Sequence, residues 1–277
     1  MSGQFSGLRA AVRANPALKR LALVIMRSLG ALSWKIRPAA LIRYAAFLSD
    51  WRRFRKAGGK AAVLDFYPCL HDKTSATGID THYFHQAIWA LREIRQNGAR
   101  QHVDIGSDVN FVGMLTVITE VLFVDIRPLF LNIQNYQGIG ASITALPFAT
   151  NSIASLSCMH VLEHIGLGRY GDPVDPLGPE KACREIVRVL QPGGHAYIST
   201  LIGRPRVAFN GHRVFEPSEV LALFAGLEIE AMAMVDAPGR FVTGLDPHTV
   251  DIRESEGGLD FGLGLFRLRK AARTKSP

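Results

Sequence analysis

Between Asn15 and Arg37 the apolar residues Leu18, Leu21, Ile25, Leu29, Leu32 and Ile36 recur every three or four positions. At about 100° per residue they fall on one stripe of a helix, with Lys19, Arg20, Arg27 and Lys35 off it. A second helix is predicted from Ala39 to Lys56, ending in Arg52, Arg53, Arg55 and Lys56, where cations suit the negative end of the helix dipole. Gly58-Gly59 breaks the chain and sets an expected domain boundary near residue 60. Pro68, the polar run Asp72 to Thr77 and Gly78 predict a loop. Thr81–Gln96 predicts a helix, capped by Asp80 or Thr81 and closed by Gly98.

From there the period changes repeatedly. His102–Ile105, Val121–Asp125, Tyr136–Ala141, Ile153–Met159, Ala196–Leu201, Leu227–Val235 and Phe261–Arg269 predict strands. Phe111–Ile118, Glu180–Leu190 and Pro217–Ala225 predict helices between them, with a long loop over Gly166–Pro179. Strands and helices in this order predict an α/β fold, a Rossmann-like doubly wound and mostly parallel sheet with helices on both faces. The expected organisation is a basic helical extension over 1–60, a domain over 61–270 and a basic tail over 271–277.

Charge sharpens that division. Residues 1–60 carry 13 Lys and Arg against one acid, Asp50, whereas the other 217 residues carry 19 basic and 23 acidic side chains. The basicity therefore belongs to the extension. The apolar run Leu21–Met26 is cut by Arg27, far short of the roughly 20 residues a membrane-crossing helix requires, and no secretory cleavage pattern follows it. A basic face beside an apolar stripe, with Trp34 and Trp51, is instead the pattern of a helix lying on an anionic membrane surface. The same stripe would bury equally well against protein. Cys69, Cys158 and Cys183 are odd in number, widely spaced and without a Cys-x-x-Cys pair, so a disulfide framework or cysteine zinc site is not expected. A reducing compartment, the cytoplasm, fits them, with attachment at the inner face of the membrane through residues 1–60.

The candidate chemistry lies in four segments. His102-Val-Asp-Ile-Gly-Ser-Asp108 ends a strand in an acid, Asp104, and then a glycine, Gly106, where a ligand can approach the backbone. Asp125 ends the next strand, at the spacing from a glycine turn that suits an acid accepting hydrogen bonds from ribose hydroxyls. Leu146-Pro-Phe148 precedes the strand that runs into His160-Val-Leu-Glu-His164. Glu185-Ile-Val-Arg-Val-Leu-Gln-Pro-Gly-Gly194 is a helix stopped by a turn before another strand.

Over residues 100–236 these segments, in this order, resemble the class I S-adenosylmethionine (SAM)-dependent methyltransferases. The runs Glu163-His-Ile-Gly-Leu-Gly-Arg-Tyr-Gly-Asp-Pro173, Phe209-Asn-Gly-His-Arg213 and Gly262-Leu-Gly-Leu-Phe266 further resemble an uncharacterised methyltransferase-like family, domain of unknown function 268. The resemblance implies SAM as cofactor, held by Asp104, Gly106, Ser107, Asp125, Ile126, Ile143, Thr144, Cys158 and His160. It implies methylation, at oxygen, of a polar small-molecule or glycan acceptor such as a sugar or surface-polysaccharide precursor. Oxygen methylation calls for a base, for which His160, His164 and His212 are the candidates, His164 first and His212 next, with Asp172 and Arg213 beside them and Arg169 and Asp175 as further polar groups. Two departures stand out: Asp108 and Asn110 occupy glycine positions, and Ser142-Ile-Thr144 stands where an acid is usual. They leave open a second reading, a catalytically silent scaffold in a membrane-associated assembly.

Other classes fit less well. A nicotinamide dehydrogenase would show Gly-x-Gly-x-x-Gly, and this turn offers Gly106 and then only Gly113. The Asp-x-Asp of metal-dependent glycosyltransferases and the phosphate loop are absent. A nucleic-acid partner is not expected, because the domain beyond residue 60 is net acidic and lacks an aromatic and basic stacking face.

Overall fold

The computed structural model describes residues 38–250 and 261–272 together with Ile25. The stripe from Leu18 to Ile36, apart from Ile25, and the tail beyond Ala272 lie outside the described residues. The chain divides into two compact units between Gly78 and Ile79, beyond the Gly58-Gly59 break. In the first unit helix α1 spans Pro38–Lys56 and carries Arg53, Arg55 and Lys56 in its last turn. Phe66, just after a short 3-10 turn at Val63–Asp65, is buried and meets the rings of Phe47 and Trp51 edge-on at 5.1 and 5.2 Å. The Trp51 indole donates to the Ala61 carbonyl at 3.1 Å, tying the stretch after Gly59 back to the helix.

The second unit opens with α2, Thr81–Asn97, whose Asp80 cap accepts from the Tyr83 N–H and which ends at left-handed Gly98. Then follow β1 Gln101–Ile105, α3 Val109–Leu115, β2 Glu120–Asp125, β3 Tyr136–Gly140 and β4 Ile153–Met159. Next come α4 Gly178–Val189, β5 Leu190–Gly203, the hairpin β6 Arg206–Ala208 and β7 His212–Val214, α5 Pro217–Leu223, β8 Leu227–Val235, β9 Phe241–Thr243 and β10 Phe261–Lys270. Eight strands form one sheet in the order β3-β2-β1-β4-β5-β10-β8-β9, and β6–β7 stands apart. From β3 to β5 all pairings are parallel, while β10 runs antiparallel to both β5 and β8. The chain winds outward from β1 to β3 and then returns to place β4 on the other side of β1. That return makes the β1/β4 junction the switch point where doubly wound sheets bind ligands.

Alternation along β1 and β4 sorts two cores. Val103, Ile105, Leu156 and Cys158 pack with Ala182, Cys183 and Ile186 of α4 and with Val220 of α5. The opposite face packs Trp89, Ala90 and Ile94 of α2 against Phe111, Val112 and Leu115 of α3. Helices thus cover both faces, as the sequence predicts. Three short elements carry no strong periodicity and are not legible in the sequence: the β6–β7 hairpin, β9, and a 3-10 turn at Leu162–His164. The Gln191-Pro-Gly-Gly194 run is a bulge inside β5, because the register against β4 jumps from Ile153↔Leu190 to Ser155↔His195. The Leu146-Pro-Phe148 turn is clamped by α4. Arg188 grips Glu185 with two bonds of 2.7 and 2.8 Å and donates to the carbonyls of Leu146 and Phe148, while Glu185 accepts from the Leu146 N–H.

The polar sides of β1 and β4 also meet, entirely buried. Ser157 donates to Asp104, so its oxygen is left to accept from His102 Nε2–H, and His102 Nδ1 then accepts from Ser155 Oγ at 2.8 Å. Burial pushes the His102 imidazole down to about 3 and keeps it neutral. Between about 3 and 6.5 the unfolded chain binds more protons at this residue than the folded one. Its contribution is therefore complete above 6.5 and lost as pH falls toward 3. Asp104, raised to about 6 by burial, acts in the opposite sense: its ionisation lowers stability as pH rises from about 4 to 6. Both His102→Val and the parent retain Asp104, so their difference isolates the histidine. Urea unfolding at pH 7 should show His102→Val less stable by about 1–3 kcal/mol, because Ser155 loses its partner. Between pH 6.5 and 3.5 the variant should lose less stability than the parent. Equal losses would mean that His102 is not held neutral.

Candidate functional site

A cavity of about 660 Å³ opens at the carboxyl ends of β1, β2 and β4. Its floor is the turn after β1. Gly106 has φ of +66° and donates its N–H to the Val124 carbonyl at 2.9 Å. A Cβ there would meet both Val161 methyls at 3.4 Å and Asp125 Oδ2 at 3.7 Å, ordinary contact distances, so the left-handed φ is what favours glycine, and its missing side chain leaves the space between the strand ends open. Asp125 ends β2 with Oδ1 accepting the Arg127 N–H at 2.6 Å and Oδ2 turned toward that gap. Ile126, Ile143 and Thr144 line the same cavity. Thr144 and Ser142 bond to each other at 2.9 Å.

Two of the expected cofactor residues lie beneath this surface. Asp104 does not line the cavity; its carboxylate accepts from the Ser107 N–H, the Ser107 hydroxyl and the Ser157 hydroxyl. Burial raises it to about 6 against the pull of those bonds. Ser107 reaches the lining, but its hydroxyl is held between Asp104 and the Met159 N–H. Cys158 points the other way from Ser157, into the α4 core, and burial pushes its thiol well above its ordinary range. Alternation along β4 dictates that placement.

The segment after β4 supplies the titratable wall. His160 takes a left-handed backbone, φ +59°, and its Nδ1 bonds the buried Glu163 carboxylate, which also accepts from Thr200 Oγ1 at 3.0 Å. Burial pushes Glu163 up, but the His160 charge and hydrogen bond outweigh it and hold the carboxyl below its ordinary range. The rings of Tyr83 and His82 stack on His160 at 5.0 and 5.8 Å. His160 Nε2 is buried and has no hydrogen-bond partner among the described residues. His164 lines the cavity with Nδ1 2.7 Å from the Gly211 carbonyl. A carbonyl only accepts, so Nδ1 carries the proton and the neutral ring keeps a lone pair on Nε2. Burial, the largest influence, lowers the His164 pKa against the opposing effects of Glu163 and the Gly211 bond.

Three further candidates turn out to hold the scaffold. Asp172 borders the cavity, yet its carboxylate accepts from the N–H groups of Gly166, Gly168 and Tyr170 and so shapes its own loop. Arg213 is buried and donates to the Ile165 carbonyl. His212 sits outside the lining with its ring 5.3 Å from Phe261; the hairpin instead presents the neighbouring Gly211 carbonyl to His164. Asp175 lines the cavity paired to Lys181 at 2.6 Å, which holds its carboxyl below the ordinary range. The structure adds Tyr83, Arg127 and Tyr170 to the lining. Tyr170 lies in the Glu163–Pro173 run and Arg127 two residues after Asp125, but only tertiary packing brings these side chains to one wall.

Comparison with known proteins places this geometry. No curated protein matches the sequence. Among solved structures, the (4+2)-cyclase SpnF superposes with a TM-score of 0.51 at 15% identity, covering 83% of this chain and 95% of its own. The N-methyltransferase NodS from Bradyrhizobium japonicum WM9, in complex with S-adenosyl-L-homocysteine, gives 0.47 at 15% identity, covering 73% and 91%. The geranyl diphosphate C-methyltransferase from Streptomyces coelicolor A3(2), in complex with Mg²⁺, geranyl diphosphate and S-adenosyl-L-homocysteine, gives 0.49 at 15%, covering 68% and 81%. At such identities the likeness is one of fold, and a fold does not fix a reaction. Residues 105–241 match the family described as Caenorhabditis protein of unknown function, DUF268. The chain thus shares the fold of these structures, and residues 105–241 resemble the DUF268 family.

Proposed function

We propose that this protein is a SAM-dependent methyltransferase acting on a hydroxyl of a polar acceptor, such as a sugar or surface-polysaccharide precursor. The observation that carries the reading is the cleared gap at Gly106 facing Asp125 Oδ2, at the switch point of a class I sheet. These residues fit the cofactor: an extended ligand can cross the glycine turn, and Asp125 retains an oxygen to accept from a diol. SAM, when bound, supplies the methyl group. Asp125 and the backbone at Gly106 hold it, Ile126 and Ile143 provide apolar contact, and His164 Nε2 takes the proton from the acceptor hydroxyl as its oxygen is methylated.

Calorimetric titration tests the first half. Wild-type protein should bind SAM, and Asp125→Ala should weaken it at least about tenfold, as the loss of a charge-assisted bond of about 1.5–3 kcal/mol requires. No binding by the wild type at millimolar SAM would end the reading. Methyl transfer from radiolabelled SAM to a panel of sugars tests the second half. His164→Ala should lower the rate by about 10²–10⁴ with SAM affinity unchanged. Undiminished activity in His164→Ala would remove this histidine from the reaction.

We also propose that residues 1–60 hold the protein at the anionic inner surface of a membrane. The charge excess of that segment supports this, as do the exposed Leu41 and Ile42 in the first turns of α1 and the exposed Phe54 in its basic last turn. Among the described residues no helix is long and apolar enough to cross a membrane. Full-length protein should float with phosphatidylserine-containing liposomes at low salt. It should float less at high salt, and less when Arg52, Arg53, Arg55 and Lys56 are replaced by glutamate. Protein that stays behind at low salt would refute the attachment.

A further inference from the structure

The charges around the cavity are unevenly satisfied. Each acid on its wall has its own donors. Asp108 accepts from the N–H groups of Asn110 and Phe111, Asp125 from that of Arg127, Asp172 from three loop amides, and Asp175 from Lys181 and the Leu177 N–H. Two guanidinium groups are not matched in this way. Arg127 lies over the Tyr170 ring at 4.4 Å, and the acid it approaches, Asp125, is 3.8 Å from its Nε, beyond hydrogen-bond reach. Arg169 lies over the same ring at 5.0 Å, donates to the Gly211 carbonyl at 3.0 Å and comes within 3.3 Å of His164 Nδ1.

Two cations thus lie over one aromatic ring, at 4.4 and 5.0 Å from its centre. An anion beside them would be attracted to both charges, and a guanidinium fork offers N–H groups with the spacing that phosphoryl oxygens take. The place is chemically apt. Tyr170 lines the cavity and meets the His164 ring edge-on at 5.6 Å, so an anionic group held here sits beside the proposed base. Tyr170 is itself fixed, since the Asp172 carboxylate accepts its N–H and shapes the loop that presents it.

We propose that Arg127 and Arg169, ordered on Tyr170, form a subsite for a phosphoryl group of the acceptor. The substrate class is thereby narrowed to phosphorylated hydroxyl compounds, sugar phosphates or nucleoside diphosphate sugars. The inference rests on the methyl-transfer reading for its meaning, while the subsite is testable without it.

The probes are inorganic pyrophosphate, glucose 1-phosphate and uncharged glucose, titrated calorimetrically into full-length protein at low ionic strength. Pyrophosphate and glucose 1-phosphate should bind and glucose should not. Arg127→Gln and Arg169→Ala should each weaken binding at least fivefold, and the double variant should abolish it. Arg100→Ala, which removes an exposed arginine paired with Glu120 before β1, should change nothing. Circular dichroism confirms that each variant is folded. Binding indifferent to Arg127 and Arg169 would place the anion elsewhere, on the basic N-terminal segment, and overturn the subsite, as would no binding at all. Titrating SAM into the same preparations separates the two claims. SAM binding without an anion response removes the subsite alone. An anion response dependent on both arginines, without SAM binding, keeps the subsite and removes the methyl-transfer reading.

Discussion

The buried carboxylate of Asp104 is the joint on which the cavity depends. It takes the Ser107 amide and hydroxyl from the turn that leaves β1, and the Ser157 hydroxyl from β4 on the far side of the switch point. Two strands that diverge in the chain path are thereby locked at the place where a ligand must lie. Ser107 passes the restraint on to the Met159 N–H, and the next residue, His160, begins the wall. A carboxylate sealed from water is costly to ionise, which is why its proton affinity rises toward the physiological range. The neighbouring imidazole is forced the opposite way. A polar seam of this kind is tolerable only because nearly every atom in it has a partner.

Much of the fold was legible because the sheet is regular. Ile153–Met159 and Leu227–Val235 were readable to the residue, the first as a mostly buried run and the second by its alternation of apolar residues with Glu228 and Glu230. The helix over Thr81–Asn97 announced itself by an acid cap and a glycine stop. What failed was depth. An acid at the end of β1 reads as a ligand contact, whereas Asp104 lies one layer below and acts through Ser107. Cys158, His212 and Arg213 stand in motifs near the cavity, but strand alternation and loop closure turn each side chain elsewhere. Arg127, Tyr170 and Tyr83 were missed for the converse reason. They come from three separate segments, and only packing brings them to one wall. The β6–β7 hairpin sets the Gly211 carbonyl against His164, a role that the Phe209–Arg213 run does not disclose by itself.

The loop that carries Tyr170 owes its shape to close backbone contacts. A Cβ on Gly166 would sit 2.0 Å from the Asp175 carbonyl oxygen, a distance no side chain could accept. Together with the Asp172 cap, this folds residues 166–178 tightly onto the cavity edge. The Glu185–Arg188 pair does the same for the Leu-Pro-Phe turn opposite. Both turns are thus backbone carbonyls and amides gripped by charged side chains, Asp172 in one and the Glu185–Arg188 pair in the other.

The central position of β10 has a consequence for biosynthesis. It lies between β5 and β8, yet it is the last of the three to leave the ribosome. While it is still within the exit tunnel, β5 has no neighbour on its outer side, and β8 pairs only with the short β9. The nascent protein therefore exposes two unsatisfied strand edges, the arrangement most inviting to a chaperone or to another unfinished copy. The ligand-facing half, β1 to β5, is by then fully translated. Stalling translation just before Phe261 should thus trap a chain with its cleft assembled and its sheet unclosed.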